Sequence, residues 1–111
     1  MLESKVESYF QKQVQSCGGM TLKFTSPSMR GVPDQIALYN GGVHFVEMKA
    51  PGEKPRNSQI VVHEIFGHHN VPVHTLDSIE SVDDFITNVL EAEVQTIAKE
   101  TFDIKKNMFD V

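Results

Sequence analysis

The sequence predicts an α/β domain in which a helix, three strands, a second helix, a fourth strand and a last helix follow one another along the chain. Three observations predict it: apolar residues recur at helical spacing near the N-terminus, an Asn-Gly turn joins two strand-like runs in the middle, and a helical pattern and a short apolar run follow.

Val6, Tyr9, Phe10, Val14 and Cys17 define the apolar side of a helix from Ser4 to about Cys17, with Gly18-Gly19 as its stop. A short strand at Met20–Phe24 follows, and "TSPSMRGVP" reads as a loop. Asp34–Tyr39, the turn "NGG" and Val43–Met48 form a β-hairpin. After a second loop, "APGEKPRNS", the residues Ile60, Val61, Ile65 and Phe66 lie along a helix that Gly67 is expected to end, a strand being the weaker alternative. "VPVHTL" resembles a short buried strand. In "SVDDFITNVLEAEV", Ser81 is the expected cap and Val82, Phe85, Ile86, Val89 and Leu90 share one face. The expected division is a folded domain over 1–94 and a C-terminal extension over 95–111, helical or partly disordered.

At 111 residues and 40% hydrophobic, the chain supports one domain with a modest core. It holds no run of eighteen apolar residues, and "MLESKVESYF" lacks the layout of a signal peptide, so no membrane partner is expected. Cys17 is the only cysteine, which rules out an internal disulfide and suits a reducing cytoplasm. The net charge of −5 argues at first against nucleic acid. Its distribution weakens that argument: residues 1–76 carry seven Lys/Arg against six Asp/Glu, and residues 77–111 carry three against nine. A near-neutral body with an acidic tail is compatible with a local basic face.

Turn geometry gives the hairpin its chemical interest. If Asn40-Gly41 is the two-residue loop, Asp34 stands directly opposite Glu47; if Gly41-Gly42 is the loop, Asp34 faces Lys49 instead. In either register Asp34, Glu47 and Lys49 share one face, because strand side chains alternate with period two. Opposed like charges are destabilising, more so when partly buried. A retained proton, the nearby Lys49 or a divalent cation would each offset the repulsion. Two carboxylates on rigid strands, with backbone and water oxygens completing the shell, suit Mg²⁺ or Mn²⁺. With a lysine beside them they suit phosphodiester hydrolysis, in which the cation activates water and neutralises charge while the lysine positions the water or the phosphate.

These residues carry a family resemblance. "PDQIALYNGGVHFVEMK" resembles the PD-(D/E)xK nuclease signature, with Pro33-Asp34 followed by Glu47-Met48-Lys49. The wider run from "GGMTLKF" through "GVPD" and "EMKAPG" to Gln59 resembles the VRR-Nuc family, a branch of that superfamily related to Holliday junction resolvases. The resemblance implies a restriction-endonuclease-like αβββαβ core with a mixed central sheet flanked by helices, followed here by an extra C-terminal helix. It implies Mg²⁺ or Mn²⁺ dependence, cleavage of DNA, and a homodimer suited to branched DNA. It also implies Asp34 and Glu47 as metal ligands, Lys49 as the catalytic lysine, Glu7 as a further ligand borne on the first helix, and Gln59 as the glutamine that follows the ExK strand. A phage or mobile-element origin is associated with so short a stand-alone domain.

Plainer readings compete at two of these positions. Ser4-x-x-Glu7 has the spacing of a capping box, which would employ Glu7 in starting the helix, and Glu3 one turn earlier is then the alternative acid. Gln59 is equally readable as a first-turn polar residue. "HEIFGHH" imitates a zinc-protease helix, but His68 lies five residues beyond His63, roughly 140° around the helix, and the pair is not expected to share a metal. Lys23, Arg30, Lys54 and Arg56 lie on or beside the two loops next to the acids and are the candidate DNA-backbone contacts. No aromatic and basic interleaving points to base readout. Two functions follow, a metal-dependent endonuclease and a non-catalytic DNA-binding module of the same fold; retention of all three of Asp34, Glu47 and Lys49 favours the first.

Overall fold

The computed structural model describes residues 1–91, so the predicted extension, with Phe102, Ile104, Met108 and Phe109, lies outside the described residues. Its elements are α1 (Glu3–Ser16), β1 (Met20–Lys23), β2 (Gln35–Tyr39), β3 (Gly42–Met48), α2 (Asn57–His68), β4 (Val73–Leu76) and α3 (Ile79–Phe85), which runs on into a wider π-helical turn over Ile86–Glu91. The four strands form one mixed sheet in the order β1-β2-β3-β4. The first three are antiparallel and β4 returns parallel to β3 through α2. This is the αβββαβ succession expected, with α3 as the added helix.

The hairpin register is the one in which Asn40-Gly41 forms the turn: Tyr39 pairs with Gly42 and Gln35 with Val46. Asn40 and Gly41 have φ of 46° and 88°. Two consecutive positive φ values are what a type I′ turn needs to match the twist of the strands.

Alternation then sorts the sheet into two faces. On one, α1, α3 and the π-helical turn after it bury Val6, Phe10, Val14, Val82, Phe85 and Leu90 against Ala37, Val46, Met48 and Leu76. On the other, Phe24 and Phe66 pack against Phe45, with ring centroids 5.8 and 5.1 Å away, so α2 covers part of the sheet there. Asp34, Glu47 and Lys49 belong to this second face by the same alternation.

The helices depart from the sequence reading at three ends and on one face. At α1 the N-cap is Leu2 and makes no side-chain cap bond, so the Ser4/Glu7 capping box, the competing reading of Glu7, does not form. Gly67 does not end α2; the helix continues to His68, and the left-handed residue is Asn70, with φ of 61°. Val71 N–H bonds Phe66 O and Asn70 N–H bonds Gly67 O, a Schellman motif with asparagine in the glycine position. At α3 the cap is Ser78, not Ser81; Ser81 N–H bonds Ser78 Oγ and Ser78 N–H bonds Ser81 Oγ, both at 3.0 Å. Finally, Ile60, Val61 and Ile65 are exposed, and it is Gln59 and Val62 that α2 buries.

Gly18-Gly19 behaves as expected: Gly19 N–H bonds Val14 O and Gly18 N–H bonds Gln15 O, both at 2.9 Å, closing α1 and turning the chain into β1.

Candidate functional site

Asp34 stands one residue before the β2 ladder, at the end of the sheet where its main chain still pairs with β1 through the bond from Phe24 N–H, 2.9 Å. Its carboxylate accepts the Met48 N–H at 3.1 Å. That bond draws Asp34 across to the segment that carries Glu47 and Lys49 on either side of Met48. Continuing the ladder by one step sets Asp34 opposite Glu47, so the two acids meet as the turn geometry requires. Lys49 is held in place by its own N–H bond to Leu76 O at 2.9 Å, which extends the β3–β4 pairing by one residue.

These groups are not on open surface. Glu47 is 3% exposed and Lys49 5% exposed, and both line a cleft of about 680 Å³ with Asp34, Gln59 and Glu3. Arg30, Lys54 and Arg56 stand on its borders. The pair behaves electrostatically as its burial requires. Desolvation, then the charge of Asp34, pushes the Glu47 carboxyl up to about 7, with Lys49 opposing the shift. Desolvation also raises Asp34, against the lowering effect of the Met48 N–H bond. Both acids would gain from a cation between them.

The chemistry of the donor set fits a hard divalent ion. Glu47 Oε1 is buried with no hydrogen-bond partner among the described residues. Such an orphaned carboxylate oxygen is a costly feature in a protein that has no use for it. No three His, Cys, Asp or Glu side chains among the described residues converge into a ready-made cage. A cation here would therefore rest on the Asp34–Glu47 pair, with backbone and water oxygens completing its shell, as Mg²⁺ tolerates.

The remaining predicted residues take different places. Glu7 does not line the cleft; its Oε1 accepts from Gln35 Nε2 at 3.1 Å and Gln11 Nε2 at 3.3 Å and lies 3.5 Å from Lys23 Nζ. Its charge nevertheless reaches Asp34, contributing to the raised carboxyl. Glu3, the alternative acid, does line the cleft and raises both Asp34 and Glu47. Gln59 is 4% exposed; its Oε1 accepts the Arg56 N–H at 2.8 Å, so it holds the start of α2 while facing the cleft. Lys23 stands apart from the cleft on the exposed edge strand β1, while Lys49 Nζ lies 3.7 Å from Glu53 Oε1.

Two residues, one beside the cleft and one on the opposite face of the sheet, escaped the sequence reading. His63 Nε2 lies 3.8 Å from Glu47 Oε1, and burial followed by the charge of Lys49 lowers its pKa. The available signal was its spacing of four from Gln59, which puts both on one side of α2. Gln35 is the other; its signal was a polar side chain alternating with Ala37 on a face meant for the core.

The fold and the cleft with its paired acids define a restriction-endonuclease-like nuclease domain. Comparison with known proteins agrees. No family model matches the chain. A phage protein named "Putative nuclease p44", from Acyrthosiphon pisum secondary endosymbiont phage 1, is 42% identical over 79 residues, covering 68% of this chain and 85% of that protein. A solved structure named "VRR_NUC domain" superposes with a TM-score of 0.72 at 29% identity, covering 78% of this chain and 96% of its own. The chain belongs to the VRR-Nuc family of nucleases.

Proposed function

We propose that the protein is a Mg²⁺- or Mn²⁺-dependent DNA endonuclease, selective for branched DNA such as four-way junctions, and active as a homodimer. The observation that carries this reading is the meeting of Asp34, Glu47 and Lys49 in one cleft whose borders are basic. Asp34 and Glu47 would hold the cation, Glu7 lying outside the cleft; when bound, the cation supplies charge neutralisation and activates water for attack on phosphorus.

The rest is the work of the chain. Lys49, buried beside Glu47, offers an ammonium that orients the attacking water and holds a scissile phosphate oxygen. Arg30, Lys54 and Arg56 hold flanking phosphates, while Lys23, paired with Glu7, lies away from the cleft. Gln59 fixes the first turn of α2 against the acids and so keeps the cleft's floor rigid.

Support for a second copy comes from the uncovered part of the α2 face. Met20 pairs with Leu38 and Leu38 with Val43, and Met20, Leu22 and Val43 are 53%, 42% and 58% exposed. Ile60, Val61 and Ile65 on α2 are exposed as well. Pairing of two copies would present two clefts to a branched substrate.

The test is cleavage of labelled four-way junction, flap and linear duplex with Mg²⁺, Mn²⁺ or EDTA, with Lys49→Ala beside wild type. Metal-dependent cutting that favours the junction and falls by on the order of 10²-fold or more in the variant is the expected result. A folded protein that binds DNA and cuts none of the substrates would replace this reading with a non-catalytic binding module.

A further inference from the structure

We propose that Glu53 guards the catalytic lysine: in the DNA-free protein its carboxylate holds the place on the Lys49 ammonium that a substrate phosphate takes, so that bound DNA must displace it. The inference rests on the nuclease reading above. The chain leaving β3 brings Glu53 back beside Lys49 by a tight turn. Pro51 and Gly52 are its central residues, Gly52 has φ of 80°, and Glu53 N–H bonds Ala50 O at 2.9 Å, the arrangement of a type II turn. Proline in the first central place restricts the segment further. The main chain of Glu53 is thus fixed four residues beyond the lysine, while its side chain, 47% exposed, has room to turn outward.

Lys49 has no such freedom. Its side chain is 6% exposed, its N–H is tied to Leu76 O, and among the described residues its ion-pair partner is Glu53, with Oε1 3.7 Å from Nζ. Both residues line the cleft, so the little of the ammonium that stays open faces the space through which a phosphate arrives. A phosphate oxygen and the Glu53 carboxylate therefore compete for one cation. Lys54 and Arg56 follow within three residues, which sets this acid inside the basic segment expected to hold DNA. As a stabilising device it is poor: 3.7 Å is too long for a hydrogen bond, and a half-exposed partner contributes little. The same looseness lets a phosphodiester, which offers two acceptor oxygens at shorter range, take its place.

Binding of labelled four-way junction DNA to the full chain in EDTA, followed by fluorescence anisotropy at one fixed low salt concentration, tests this as a double-mutant cycle. Its members are wild type, Glu53→Gln, Lys49→Ala and the two together. Glu53→Gln keeps the side chain's size and removes its charge. The expected result is binding tightened about two- to fivefold by Glu53→Gln when Lys49 is present, and changed less than about 1.5-fold when it is not. Equal tightening in both backgrounds would overturn the proposal, because Glu53 would then repel DNA without acting through Lys49. Unchanged or weaker binding in Glu53→Gln would overturn it as well. Should Lys49→Ala fail to fold, Lys49→Met, which keeps the buried stem, takes its place in the cycle. Wild type that binds the junction but cuts nothing in Mg²⁺ or Mn²⁺ would remove the nuclease reading, while the cycle still decides whether Glu53 and DNA compete for Lys49. Wild type that binds no DNA would remove both.

Discussion

Glu47 is a buried carboxyl whose charge both its burial and its neighbour Asp34 oppose. Its carboxyl is raised to about 7 in the folded chain, by burial first and Asp34 second, against an ordinary value of 4.5. The folded state therefore keeps a proton that the unfolded chain loses, and the contribution to stability is present at low pH and lost as pH rises through about 7. The groups facing Glu47 are Asp34, Glu3, Lys49, Arg56 and His63. In EDTA, wild type should lose roughly 2–3 kcal/mol relative to Glu47→Gln between pH 5 and pH 8, as read from urea midpoints of both proteins. A pH-independent difference between them would contradict the assignment of the shift. Asp34 and Lys49 make a second prediction: Asp34→Asn and Lys49→Ala should each abolish most cleavage while leaving DNA binding within a few fold, measured by gel shift in EDTA.

The elements around the cleft are held together by close backbone approaches. Gly31, with φ of 93°, lies so near the start of α2 that a Cβ there would come within 2.5 Å of Ser58 O. Both the left-handed backbone and the contact oppose any side chain. Gly31→Ala should cost about 2 kcal/mol or more in thermal or urea unfolding. It should also lower cleavage in the molecules that remain folded, because the loop carrying Arg30 would move off α2. At the other end of α2, Asn70 fills the left-handed cap. Asn70→Gly should be neutral or slightly stabilising, and Asn70→Val should cost about 1–2 kcal/mol, since a β-branched residue resists that conformation. Here the sequence misled: Gly67 looked like the natural stop, yet a glycine can be carried inside a helix when the next residues provide a better end. Ser78 and Ser81 show the same ambiguity, two serines three apart exchanging bonds where only one could be read as the cap.

For the molecule as a whole, charge is distributed so that an acidic protein can still meet DNA. The net charge is −5, but the basic groups Arg30, Lys54 and Arg56 stand together at the cleft. Replacing all three with alanine should reduce the slope of log K against log salt by about 0.7–0.9 for each phosphate contact removed, measured in EDTA on junction DNA. An unchanged slope would move the DNA path elsewhere. Assembly has its own test: sedimentation should give a dimer for wild type and a folded monomer for Val43→Asp, because a charge on the exposed apolar surface of β3 is costly if pairing buries it unpaired.

The order of elements and the heart of the site were legible in the chain because both rest on local rules. A two-residue Asn-Gly turn sets the register, and period-two alternation then obliges Asp34, Glu47 and Lys49 to share a face. The neighbourhood of that face was not legible. Whether the α1 acid at the cleft is Glu3 or Glu7 depends on where the helix crosses the end of the sheet, and a shift of one turn exchanges them. His63 comes within 3.8 Å of Glu47 only because α2 crosses over the β3–β4 pairing, and Gln35 finds Glu7 only because α1 covers the opposite face. Such contacts join residues far apart in the chain, and only the packing of helices onto both faces of the sheet decides which of them meet.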